Sequence, residues 1–208
     1  MRCEHVDESS DGRLLSPSAK RNKEPILRVL ERILPDTGSV LEIASGTGEH
    51  VVHFAQALGG LHWQPSDLEE GCRRSISAWL ATADLPNIRP PLELDVCQLP
   101  WPVPAVDAIV CINLIHIAPW TTTTALMAGA NSTLRAGGLL YLYGPYSLHG
   151  RHTAQSNEAF DAALRAANRA WGVRDLDDVT RVAQEEGLDL AATIEMPANN
   201  LSVLFRKR

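Results

Sequence analysis

The sequence predicts an α/β fold: a mainly parallel sheet with helices on both faces and an antiparallel strand at its C-terminal end. Three observations predict it. Short apolar runs alternate with segments of helical period along most of the chain. One such run, Val40-Leu41-Glu42-Ile43-Ala44, ends in the glycine-rich turn Ser45-Gly46-Thr47-Gly48, after which a helical face begins. The two closing runs are separated only by Pro197-Ala198-Asn199-Asn200. Alternating strands and helices imply right-handed βαβ crossovers, and so short a closing connection requires an antiparallel hairpin.

In chain order, residues 1–18 are polar and unpatterned and read as a flexible arm, and 19–208 read as one domain. Ile26, Leu27, Leu30, Ile33 and Leu34 fall at helical spacing, which stops at Pro35. After the glycine turn, Val51, Val52, Phe54, Ala55 and Leu58 resume a helical face. A strand over 61–65 precedes a helix over 70–81, and further strands are expected over 88–94 and 107–113. A helix over 121–134 leads to a strand over 138–143, then to helices over 156–170 and 175–186. Strands over 190–196 and 201–206 close the chain. The first of these runs parallel with the sheet, which puts the 197–200 turn at the edge where the glycine turn is expected.

Composition narrows the function classes. The 208 residues are 45% hydrophobic and 21% charged, and a chain of this length buries roughly 70% of its unfolded surface without staples. The net charge of −6 gives no general footprint for a phosphate backbone, so no nucleic-acid partner is expected. The four cysteines, Cys3, Cys72, Cys97 and Cys111, form no C-x-x-C pair, and no metal site is expected. MRCEHVDESSDG lacks the apolar stretch of a signal peptide, and no run approaches the ~18 apolar residues of a membrane span. The expectation is a soluble, cytoplasmic protein with no membrane partner; its oligomeric state stays open.

The glycine turn carries most of the functional information. A strand ending in such a turn lets backbone approach a bound ligand closely. The next strand ends in Trp63-Gln64-Pro65-Ser66-Asp67, a carboxylate about 20 residues beyond the glycines, where a ribose diol is clamped. The structural alternative for Asp67 is an ordinary helix N-cap. A nicotinamide-binding turn needs a small residue three positions after Gly48, and Val51 stands there. Glu42 would repel a pyrophosphate but suits an ammonium or sulfonium, and S-adenosylmethionine carries both. Asp95, in Leu94-Asp95-Val96, can accept from an adenine amino group. Glu42, Gly46 with Gly48, Asp67 and Asp95 in that order form a signature of class I methyltransferases.

Seven segments extend this reading: Arg21-Asn22-Lys23-Glu24-Pro25-Ile26, Trp63-Gln64-Pro65-Ser66-Asp67, Cys111-Ile112-Asn113, Tyr143-Gly144-Pro145-Tyr146, Gln155-Ser156-Asn157, Trp171-Gly172-Val173-Arg174-Asp175 and Met196-Pro197-Ala198-Asn199-Asn200. Together they resemble the methyltransferase-like protein 26 family, over nearly everything from Lys20 onward. The resemblance implies a Rossmann-like class I methyltransferase fold, with a seven-stranded, mostly parallel sheet. It implies S-adenosyl-L-methionine as cofactor and S-adenosyl-L-homocysteine as product, and it supplies no substrate. Asn22, Ala44, Ser45, Leu68, Val96 and Asn113 join Glu42, Gly46, Gly48, Asp67 and Asp95 as cofactor-binding candidates. Ala44 stands where the wider methyltransferase pattern has its first glycine, which suggests an ordinary negative φ there.

In open α/β sheets the site lies beyond the carboxyl ends of the strands. That rule selects Asn113 to His116 and Gly144-Pro145-Tyr146. His116 and Tyr146 are the catalytic candidates, with an imidazole near pKa 6.5 as base. Residues 147–157 read as a lid, with His149, Arg151, His152 and Gln155 as polar contacts. Tyr143, His149, His152, Asn199 and Asn200 are the substrate candidates. Each has a structural alternative: Asn113 as a strand-end cap, His116 as a satisfied core histidine, Tyr143 as core, and the two amides as turn residues. The expected function is methyl transfer to a small-molecule acceptor. The alternatives are a protein acceptor and a non-catalytic binding or scaffold protein with the same fold.

Overall fold

The computed structural model describes residues 7–208. Its elements in order are β1 Asp7–Glu8, β2 Leu14–Leu15, α1 Pro17–Ile33, β3 Gly38–Ile43, α2 Glu49–Ala57, β4 Leu61–Asp67, α3 Glu70–Ala83, β5 Leu92–Glu93 and β6 Val106–Ile112. A 3-10 turn Leu114–His116, α4 Trp120–Thr133, β7 Leu134–Leu148, β8 Arg151–His152, α5 Gln155–Ala167, β9 Arg174–Asp175 and α6 Leu176–Glu185 follow. The chain closes with β10 Leu188–Met196, a 3-10 turn Pro197–Asn199 and β11 Asn200–Lys207. Where the sequence reads one domain over 19–208, contacts group the chain into two compact units. Of the described residues, the first holds those up to 95 with 106–110, and the second holds 96–105 with 111–208.

In the first unit the strand order is β6-β3-β4-β5, with β3, β4 and β5 parallel. Ser16 caps α1 by accepting from the Ala19 N–H, and Pro17 sits in the first turn, where its missing N–H costs nothing. Ile26, Leu27, Val29 and Leu30 form the buried stripe of α1, and the core continues through Val40, Leu41, Ile43, Phe54, Trp63 and Ile76. The strand expected over 88–94 shrinks to two residues, because Pro90 and Pro91 remove two ladder donors. A single bridge from Trp63 to Ile88 is left upstream of them.

Part of the segment read as an arm is paired in the structure; residues 1–6 lie outside the described residues. β1 and β2 pair as an antiparallel hairpin. The Leu14 N–H donates to Ser75 Oγ at 2.8 Å, and Trp79 Nε1 donates to the Leu14 carbonyl at 3.2 Å. Arg13 lies 4.7 Å over the Trp79 ring, and the Ser16 N–H donates to Glu49 Oε2 at 2.6 Å. Polar composition hid these anchors because they are hydrogen bonds rather than an apolar stripe.

In the second unit the order is β10-β11-β7, with β11 antiparallel to both β7 and β10. β7 runs for 15 residues, far beyond the expected 138–143. Along it, Leu139 to Pro145 face β11, Ser147 and Leu148 face β8, and Tyr146 and Ser147 face β9. Leu126, Met127, Leu140, Tyr141, Val179, Val203 and Phe205 are fully buried and fill this core. Among the described residues no helix is long and apolar enough to cross a membrane.

Candidate functional site

In the first unit the carboxyl ends of β3 and β4 meet around the glycine turn. Glu42, at 1% exposure, is buried in β3, and its Oε2 has no hydrogen-bond partner. Burial, with the Asp67 charge adding, raises its carboxyl from the ordinary 4.5 to about 8. Ser45 crosses between the strands: its N–H donates to the Ser66 carbonyl at 2.9 Å and its Oγ accepts the Ser66 N–H at 3.2 Å. Ala44 has φ +54°, which corrects the negative φ expected from its side chain. The turn needs a left-handed residue there, and Ala adopts it at a cost.

Asp67 is buried and accepts two backbone N–H groups, Gly46 to Oδ2 and Glu69 to Oδ1, both at 2.9 Å. Burial raises its pKa despite these bonds. Asp67 thus holds the turn that precedes α3, whose N-cap is Glu69, and each oxygen keeps a second lone pair for a ligand. Gly48 opens α2 with φ +91°, and a Cβ there would lie 3.0 Å from the Ile76 Cα, so its side chain is excluded by packing. A Cβ on Gly46 would meet nothing nearer than 4.0 Å, which leaves its face of the turn open. Leu68 stands 52% exposed just past β4. Asn22 faces His50 on α2, with Oδ1 2.8 Å from its Nε2. Asp95 is half-buried and Val96 buried.

The sequence reading missed Thr47, Glu49 and Ser75. Ser75 Oγ donates to the Thr47 carbonyl at 2.7 Å while accepting from Leu14, and so links the N-terminal hairpin to the glycine turn. The only available signal was a carboxylate in the first turn of a helix, favoured there by the helix dipole.

In the second unit the structure brings Asn113, His116, Gly144 and Tyr146 together. Asn113 has φ +63° and its N–H donates to the Tyr143 carbonyl at 2.8 Å, the strand-end role. His116 is 1% exposed, and both its ring nitrogens are buried without a hydrogen-bond partner. Its ring packs edge-on to Tyr146 with centroids 5.1 Å apart, and the Tyr146 hydroxyl is equally buried and unpartnered. A Cβ on Gly144 would lie 2.4 Å from His116 Nε2, so the imidazole occupies the space that a side chain would fill. Burial, aided by the Arg174 charge, lowers His116 from 6.5 to about 3, which corrects the imidazole expected near its ordinary value. Burial pushes the Tyr146 phenol up.

The remaining candidates have structural partners. Tyr143 is buried in β7. His149 is exposed, with Nδ1 2.7 Å from Asp177, and His152 Nε2 lies 3.7 Å from Asp161. Asn199 Nδ2 donates to Ser156 Oγ and its carbonyl accepts from Asn157, while Asn200 Nδ2 donates to the Pro197 carbonyl. Within the segment read as a lid, 147–152 form a tight hairpin, pinned where Asp175 Oδ2 accepts from Ser147 Oγ at 2.9 Å and the Gly150 N–H at 2.8 Å. A cleft of about 610 Å³ beside it is lined by Trp120, Ser147, Gly150, Arg165, Arg174 and Asp175, among others, and not by His116 or Tyr146. Among the described residues no cluster of three or more His, Cys, Asp or Glu side chains could hold a metal ion.

A family model described as "Protein of unknown function (DUF938)" matches residues 13–207, and the chain belongs to that family. Among solved structures, an O-methyltransferase family protein from Burkholderia thailandensis is similar at TM-score 0.79 and 14% identity, over 91% of this chain and 57% of that one. Mitomycin 7-O-methyltransferase is similar at TM-score 0.79 and 13% identity, over 92% and 55%. Human N-acetylserotonin methyltransferase, solved with S-adenosylmethionine, is similar at TM-score 0.72 and 15% identity, over 91% and 52%. The chain thus spans little more than half the length of each. These likenesses show the fold: Rossmann-like, of the class I methyltransferase type, with a mostly parallel sheet and helices on both sides.

Proposed function

We propose that this chain is an S-adenosylmethionine-dependent methyltransferase acting on a small-molecule acceptor, and that its finer kinship is with the methyltransferase-like protein 26 family. The observation that carries the reading is Glu42: a fully buried carboxylate with an unpartnered oxygen, beside a glycine turn. Burying a carboxylate is costly unless a cation or donor compensates it. An ammonium-bearing ligand supplies both, which a pyrophosphate cannot. The cofactor, when bound, supplies a methyl group on a positively charged sulfur.

The chain's own residues have distinct roles in this reading. Glu42 gives up its proton and holds the ammonium; Asp67 accepts from the ribose hydroxyls through its remaining lone pairs; Leu68 offers apolar surface to the adenine; Asp95 accepts from the adenine amino group. Asn22, Ala44, Ser45, Gly46 and Gly48 of the first unit complete the cofactor set. His116, neutral and desolvated, accepts a hydrogen bond from the acceptor's O–H or N–H and orients it, with Tyr146 beside it. Such alignment and desolvation are the main contributions a protein makes to an in-line displacement. The likeness to small-molecule methyltransferases and the acidic balance support a small acceptor and a site without nucleic acid.

Calorimetry with S-adenosylmethionine, S-adenosylhomocysteine and NAD tests the proposal. The expected result is binding of the first two and none of the third. Binding of NAD alone, or of no ligand, would overturn it; cofactor binding without turnover on any acceptor would favour a non-catalytic binding protein.

A further inference from the structure

The segment Trp171-Gly172-Val173-Arg174-Asp175 stands out in the sequence, yet the proposed reaction gives it no role. In the structure it grips the backbone under both catalytic candidates. Arg174 Nε donates to the Ile115 carbonyl at 2.9 Å, and Nη2 donates to the carbonyls of Ala118 at 2.6 Å and Ala170 at 2.8 Å. The guanidinium carbon lies 5.7 Å from the Trp120 ring centroid. The Gly172 N–H donates to the His116 carbonyl at 2.9 Å. Arg174 and Asp175 also pair in parallel register with Tyr146 and Ser147.

A further layer holds the segment itself. Asp161 Oδ1 accepts the Val173 N–H and its Oδ2 accepts from Arg165 Nε, both at 2.7 Å. A Cβ on Gly172, whose φ is +155°, would lie 2.7 Å from that same Asp161 Oδ1. One rigid, planar fork thus reaches carbonyls on both sides of His116, a geometry that lysine's single ammonium cannot reproduce.

We propose that Arg174 is a positioning residue: it locks the Leu114–His116 turn so that the imidazole stays over Gly144 and edge-on to Tyr146. Only its consequence for turnover rests on the methyltransferase reading. Its charge also works with burial, the larger cause, against protonation of His116, while the Gly172 bond works the other way. The uncharged Tyr146 packs edge-on to the ring, and a Cβ on Gly144 would meet Asn113 Oδ1 as well as the imidazole.

Nitrogen-detected NMR of the full chain, labelled at arginine and histidine, tests this with no ligand present. The Arg174 Nε–H of the unmodified protein should be protected from exchange. Arg174→Lys keeps the charge and loses the fork, so amides at 115–118 should exchange about tenfold faster or more. Arg174→Gln loses both, and His116 should in addition titrate at higher pH than in the unmodified protein. With an acceptor in hand, both variants should lower kcat more than they change KM. Overturning results are an Arg174 Nε–H that exchanges like an exposed arginine, which needs no variant, or unchanged exchange and titration in Arg174→Gln. Failure to bind S-adenosylhomocysteine would sink the methyltransferase reading and leave these NMR outcomes standing.

Discussion

The backbone N–H of Gly46 donates to Asp67 Oδ2 at 2.9 Å, so the glycine turn and the end of β4 are joined through one buried carboxylate. Its other oxygen accepts the Glu69 N–H at the same distance and starts α3. Asp67 thus serves the fold before any ligand arrives. Asp67→Ala should lower stability by about 1–3 kcal/mol, the usual cost of leaving such donors unpaired. It should also weaken S-adenosylhomocysteine binding by about tenfold or more, through lost charge-assisted bonds to the ribose. Urea unfolding and calorimetry measure the two effects separately. Undiminished affinity in a destabilised variant would assign Asp67 to the turn alone.

Ala44 pays for the turn with its backbone. At φ +54° a non-glycine residue sits about 1–2 kcal/mol above its preferred regions. Glycine removes that strain but adds unfolded-state entropy worth about 0.4–1 kcal/mol. Ala44→Gly should therefore raise stability by a net of roughly 0 to 1.6 kcal/mol, read as a higher urea midpoint. A lower midpoint would mean that the alanine methyl contributes packing that outweighs the strain.

Most of the fold was legible because apolar period and turn chemistry are local. The run 40–44, the glycine turn and the short 197–200 connection each dictate their own backbone, and the structure has all three. What was illegible depends on partners distant in sequence. β7 extends through Gly144 and Pro145 because β11, β8 and β9 pair with it in turn, and no local signal announces that. The order of residues 7–16 comes from Ser75, Trp79 and Glu49. The candidate site divides the same way. Glu42 and Asp67 could be placed from their strands, whereas burial of His116 and the anchoring of 147–150 by Asp175 need the tertiary structure.

Glu42 makes stability depend on pH in a definite direction. Its carboxyl is raised from 4.5 to about 8 in the folded chain, so folding takes up a proton between those values. Stability conferred below the unfolded value is lost as pH rises through the folded one, at up to roughly 1.4 kcal/mol per pH unit in that window. Glu42→Gln, which cannot ionise, should flatten this contribution in the ligand-free protein. It should also weaken binding of S-adenosylhomocysteine, whose ammonium loses its counter-charge, and abolish proton release on binding. Thermal melts across the window, with calorimetry in two buffers of different ionisation enthalpy, read both effects. Parallel melting curves for the two proteins would mean that Glu42 is ionised in the free chain.

His116 titrates in the opposite sense. Burial depresses its pKa from 6.5 to about 3, so its contribution to stability is present above the ordinary value and is lost as pH falls towards the lower one. The imidazole therefore stays neutral throughout the range in which a methyltransferase is assayed. The pH profile of kcat/KM should show no inflection near the ordinary histidine value from this group, because that profile reports the free protein's titration. A neutral, desolvated ring nitrogen still accepts a hydrogen bond from the attacking O–H or N–H and orients it, although its lowered pKa makes it a weak base. His116→Ala should lower turnover by about a hundredfold or more, through lost alignment of the acceptor, and change S-adenosylhomocysteine affinity less than about threefold. The same variant should lose less stability than the parent protein as pH drops below 6.5, since it has no buried imidazole to protonate. Gly144→Ala gives an independent check, because its Cβ would stand 2.4 Å from Nε2 and must displace the ring. It should reproduce the loss of turnover with His116 intact. If His116→Ala instead keeps more than about half of the activity, desolvation and alignment by other groups carry the reaction, and the role given to the imidazole is wrong.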